Sequence, residues 1–109
     1  MDQDPAPPEN FRQFQARFAD MFAAYEEGAR LARASGPLDE VTSHLVQLAA
    51  AIAIRSQGAV HSHTRRALAA GASPEAIFQV VNLLISTVGF PNAAAGFSWI
   101  NDVVGRNQR

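Results

Sequence analysis

His44, His61 and His63 are the residues of this 109-residue chain whose type and placement could carry chemistry. Imidazole is the side chain whose ordinary pKa, about 6.5, lets it give and take protons near neutral pH. His44 stands near the start of an apolar stretch, and the other two lie in the segment SQGAVHSHTRRAL. Residues two apart on a helix point about 200° apart, so His61 and His63 cannot share one pocket unless the helix breaks. The same spacing is poor for a metal, because helical ligand pairs sit at i, i+4. No metal site is expected. Ser56, Ala59 or Val60, and His63 would share a face. Arg55 precedes Ser56, and Arg65 and Arg66 follow the histidines; guanidinium groups suit a carboxylate ligand.

Composition removes most other chemistries. With no Cys there is no disulfide scaffold, thiolate zinc site, redox CxxC or cysteine nucleophile. All nine basic residues are Arg, so a Schiff-base lysine is impossible. Glu75 is the one carboxylate between Val41 and Ile100, which argues against paired-carboxylate catalysis and a carboxylate-rich metal site. There is no GxSxG turn and no glycine-rich phosphate loop. A net charge of −1 speaks against a nucleic-acid partner, which needs a basic surface. No targeting or membrane segment is read, and the expected setting is the cytoplasm.

The elements that must position these residues are helical throughout. Residues 1 to 9, MDQDPAPPE, read as a flexible Pro-rich arm, and residues 10 to 109 as a single domain. Phe11, Phe14, Phe18, Phe22, Tyr25, Ala29 and Ala32 recur at spacings of three and four, the packing stripe of a first long helix. Ser35-Gly36-Pro37 ends it. A second helix runs from Leu38 to Ile54, Gln57-Gly58 marks a break, and a third spans about Ala59 to Ala70. Ser73-Pro74-Glu75 is a strong start for a fourth, Pro74 to about Val88. Gly89-Phe90-Pro91 turns into a fifth, Asn92 to about Val104, which should bury Phe97, Ile100, Val103 and Val104. No period-two stretch occurs, so the expectation is an all-α bundle of about five helices.

The second and fourth helices are apolar on most sides. A small bundle has little interior for a fully surrounded helix, so part of that surface should be covered by another chain. The expected state is a homo-oligomer. Trp99, on the last helix, is either core or pocket lining.

From Gly36 to Val104 the chain resembles the carboxymuconolactone decarboxylase family, which includes the AhpD-like alkylhydroperoxidases. The similar text is GPLDEVTSHLVQLAAAIAIRSQGAVHSHTRRALAAGASPEAI and GFPNAAAGFSWINDVV, with HTRRALAAGASPEAI its most specific part. The resemblance implies a small all-α subunit assembling as a trimer or hexamer. The family's redox branch carries a Glu, a CxxC and a His; these positions hold His44, Ser56 and Ala59, and His63 here. Only the His is kept. Without the two thiols no disulfide can form, which rules out thiol peroxidase activity. The decarboxylase branch lacks the CxxC and is similar in its His at position 63 and its Gly89-Phe90-Pro91 turn. Its acidic cluster before the His corresponds to Gln57, Gly58 and Ala59.

The resemblance and the histidines together imply a decarboxylase, or a related acid/base lyase or isomerase, that needs no cofactor. Its substrate would be a small, carboxylated, lactone-like anion. His63 would be the general acid/base and His44 a second donor or acceptor. Ser56 would hydrogen-bond a carbonyl, Arg55 or Arg66 would hold a carboxylate, and Trp99 could line the pocket. The alternative is a non-catalytic oligomeric scaffold that kept the fold and binds a small molecule or a protein.

Overall fold

The computed structural model describes residues 8–107. Among these the chain is all-α, with no strand. Its six helices are α1 (Glu9–Arg17), α2 (Ala19–Ala34), α3 (Glu40–Ala53), α4 (Gln57–Ala69), α5 (Pro74–Val88) and α6 (Phe90–Asn107). They fall into two compact units, one holding α1 and α2 and the other α3 to α6. The expected Pro-rich arm lies outside the described residues up to position 7, and at its end Glu9 already belongs to α1.

The sixth helix arises because the aromatic stripe folds back on itself. Phe18, at φ −122° and ψ 56°, separates α1 from α2. The ring of Phe11 then meets Phe22 edge-on, with centroids 5.2 Å apart. On one straight helix eleven residues would span about 16 Å, so this contact demands the bend. Phe22 is the one stripe aromatic that becomes buried; Phe11, Phe14, Phe18 and Tyr25 stay exposed. Exposed i,i+3 ion pairs, Arg12 with Glu9 and Arg30 with Glu27, line the polar side. The hydrogen-bonded Arg30 guanidinium holds the Glu27 carboxyl below the usual carboxylate range.

The second unit packs around Leu48, Ile52, Val60, Ile77, Ile100 and Val104. Its helix ends follow local chemistry. Ser73 caps α5, its hydroxyl accepting from the Ala76 amide at 3.1 Å, with Pro74 in the first turn. After α4, Gly71 takes φ +109° while its own amide bonds to the Leu68 carbonyl and that of Ala72 to the Ala67 carbonyl. That is the double bond of a Schellman ending with glycine in its usual place.

Two further expectations are corrected. The break between α3 and α4 falls at Ile54 to Ser56, and Gln57 and Gly58 are already helical; a serine N-cap and a helix-ending turn outweigh the weak helix preference of one glycine. Phe97 is 47% exposed, resting against Phe78 at a centroid distance of 5.5 Å; its place in the interior is taken by Ala93, Ile100, Val103 and Val104. Among the described residues no helix is long and apolar enough to cross a membrane.

Candidate functional site

Helix α4 presents its two histidines to different neighbours, as the 200° separation requires. Nε2 of His61 lies 2.8 Å from Oδ2 of Asp102 on α6, tying those helices together. His63 faces α3 instead. Its Nδ1 lies 3.3 Å from Nδ1 of His44, with the two rings tilted by 37°. His44 is 3% exposed and His63 half-buried. Two nitrogens at this distance share one proton, because an N–H on both would set donor against donor.

A third member joins from within α3. Glu40, one helical turn before His44, places Oε2 3.9 Å from the other ring nitrogen, Nε2. That is ion-pair distance, beyond a hydrogen bond. Its carboxylate is exposed, while the ring it approaches is buried. One turn beyond His44 on the same side, Gln47 has its amide oxygen buried with no hydrogen-bond partner. On α4 the hydroxyl of Thr64, the residue after His63, is likewise buried without a partner.

A second cluster forms where α3 turns into α4. Arg55 adopts φ +57°, the left-handed conformation that favours glycine. Its amide bonds to the Ile52 carbonyl and that of Ser56 to the Ala51 carbonyl. This is the same Schellman ending that Gly71 makes after α4, with an arginine where a glycine costs least. The guanidinium has fixed partners: Nη1 donates to Oδ1 of Asn92 at 2.6 Å, and Cζ sits 6.0 Å from the centre of the Trp99 ring. Asn92 is itself oriented, its amide nitrogen donating to the Val88 carbonyl at 2.8 Å. Backbone strain held in place by fixed side-chain contacts is a recurrent feature of binding sites.

The sequence-predicted residues therefore fall into groups. His44 and His63 come together, and Arg55 comes together with Trp99, which is half-buried against the core. Ser56 is the N-cap of α4, its hydroxyl oxygen accepting from the Ala59 amide at 3.3 Å; the hydroxyl hydrogen is still available to donate. Arg66 is exposed on the last turn of α4, one turn beyond His63. Glu40, Asn92 and Asp102 were missed. The i,i+4 spacing of Glu40 and His44 is a local signal that could have revealed the first. No local signal exists for the other two, whose partners come from segments distant in the chain. Among the described residues, no three His, Asp or Glu side chains converge as a metal site.

An apolar groove of this unit lies elsewhere. It measures about 330 Å³, runs between α3 and α5, and is lined by Leu45, Val46, Ala49, Val80, Leu83 and Leu84 among others. None of the histidines borders it.

Comparison with known proteins gave no match among curated proteins and none among solved structures. A family model, that of the carboxymuconolactone decarboxylase family, matches residues 16–102. The match begins upstream of Gly36 and so takes in all of α2 as well as the histidine-bearing helices. The chain belongs to the carboxymuconolactone decarboxylase family.

Proposed function

We propose that the protein is a cofactor-free decarboxylase, or a related acid/base lyase or isomerase, acting in the cytoplasm on a small carboxylated, lactone-like molecule. The observation that carries this reading is the contact between His44 and His63 at 3.3 Å: two imidazoles sharing a proton are a device for holding and releasing one. In the reaction, the bond from carbon to the substrate carboxylate breaks and CO2 leaves. The electron pair stays behind as an enolate-like anion. Protonated His63 then returns a proton to carbon and is recharged from solvent. Ser56 has a hydroxyl hydrogen with which to steady the developing oxyanion, and Arg55 or Arg66 would hold a carboxylate, with Trp99 beside Arg55 as an apolar wall.

The working unit of this proposal is a homo-oligomer, a trimer or hexamer. Val46 and Leu83, 56% and 64% exposed along the α3–α5 groove, are apolar surface that a second subunit would cover. That groove also favours a second reading, a scaffold without catalysis, because this apolar concavity is lined by none of the histidines.

The test is ultraviolet absorbance and CO2 release with γ-carboxymuconolactone, using His63→Ala as control. Turnover that vanishes in the variant supports the decarboxylase. No turnover, with the ligand nonetheless bound, supports the scaffold.

A further inference from the structure

Arg55 is an expensive residue in its place. Its backbone holds φ +57°, where glycine is the least strained choice. The partner that best satisfies a guanidinium is a carboxylate, whose two oxygens match its fork of N–H groups. No described carboxylate forms an ion pair with Arg55. Asp102, the single carboxylate of α6, is engaged by His61 instead.

The partners that Arg55 does have are neutral. The amide oxygen of Asn92 accepts one hydrogen from Nη1, and Asn92 is fixed in turn by the Val88 carbonyl. The Trp99 ring attracts the cation without neutralising it. Nε and Nη2 make no hydrogen bond among the described residues, and the side chain is exposed. The charge is therefore oriented but not compensated, and the Nε–Nη2 edge of the fork is unfilled.

We infer that Arg55, Asn92 and Trp99 form a carboxylate-binding site of their own, distinct from the histidine pair. Arg55 supplies the charge and the fork, Asn92 orients the fork, and Trp99 backs the guanidinium. One guanidinium matches the single charge of a carboxylate, whereas a phosphate dianion calls for more than one cation. The separation from His63 follows from helix geometry. Ser56, the N-cap next to Arg55, precedes His63 by two turns of α4, a rise of about 10 Å. His63 turns to α3 to meet His44, whereas the guanidinium lies against Asn92 and Trp99 of α6. Of the two arginines open to the reaction proposed above, Arg66 then holds the reacting carboxylate, and Arg55 takes a second small carboxylate. The inference goes beyond that reaction and does not depend on it.

The experiment needs no turnover. Trp99 is the one tryptophan of the chain, so its fluorescence reports on this site. Acetate added to the full chain should change the emission saturably, beyond the effect of chloride at equal ionic strength. In Arg55→Gln, which removes both charge and fork, the midpoint should rise about tenfold or more. Arg55→Lys keeps the charge without the fork and should lie between. Any response of the His63 ring-carbon NMR signals to acetate should survive Arg55→Gln with its midpoint unchanged. A wild-type response no larger than that to chloride would overturn the site, and this arm decides even where a variant folds poorly. Tighter binding of inorganic phosphate, or an Arg55→Lys protein equal to the wild type, would overturn the assignment to a carboxylate. Loss of the His63 response in Arg55→Gln would overturn the separation of the two sites. Failure of the chain to turn over any lactone would leave this result standing and count only against the proposed reaction.

Discussion

Helix α6 reaches α3 through Gly96, whose missing side chain makes room for Ile52. A Cβ at position 96 would come within 2.8 Å of Cγ1 of Ile52 and 2.9 Å of both its Cγ2 and Cδ1. The Ile52 side chain is fully buried, so it has nowhere to retreat. It stands two turns after His44 on α3, and the close approach holds in register the helix that carries this half of the histidine pair.

Gly96→Ala should therefore destabilise the fold by about 1–3 kcal/mol, the cost of overpacking a filled core. Ile52→Ala alone should cost about 2–5 kcal/mol by opening a cavity. Combined, the two should cost clearly less than their sum, because the new methyl enters the space that Ile52 leaves. A denaturant double-mutant cycle measures this; additive costs would mean that the two residues do not share the space.

The two α4 histidines should separate by function. His63→Ala should lower turnover of the carboxylated substrate by roughly 10²–10⁴-fold, the usual weight of a general acid/base, and cost about 1 kcal/mol of stability through the lost hydrogen bond. His61→Ala breaks only the exposed pair with Asp102, worth about 0–1 kcal/mol, and should leave turnover unchanged. Steady-state rates of both variants make the comparison, and equal losses would remove His63 from its assigned place.

Position 55 should prefer glycine to alanine. Both substitutions remove the contacts to Asn92 and Trp99, so their difference isolates the backbone. With φ at +57°, Arg55→Gly should be more stable than Arg55→Ala by about 1 kcal/mol. Thermal melts of the two proteins check it. If the arginine holds substrate, both should also raise KM.

The apolar groove between α3 and α5 should be where subunits meet. Leu83→Glu places a charge on a residue that is 64% exposed in the single chain, so the fold should survive. In the proposed oligomer the same charge would be buried without a partner, and light scattering should show the mass falling to that of the monomer. A wild type that is already monomeric, or a variant that keeps its mass, would show that α3 and α5 do not form the interface.

Much of this molecule is legible without coordinates because helical order is local. Phe11 to Ala32, Ser73-Pro74-Glu75 and the apolar run to Val88 repeat a signal within every few residues, and α5 begins and ends where those residues indicate. The divergence of His61 and His63 likewise follows from 3.6 residues per turn. Other features depend on contacts between distant segments. Phe18 breaks the first helix because Phe11 finds Phe22 only if the chain bends back. His44 meets His63, and Arg55 in the α3–α4 turn meets Asn92, because α3, α4 and α6 pack at one spacing and rotation. That spacing is a sum over many core contacts, Ile52 against Gly96 among them, and no periodicity in the chain encodes it.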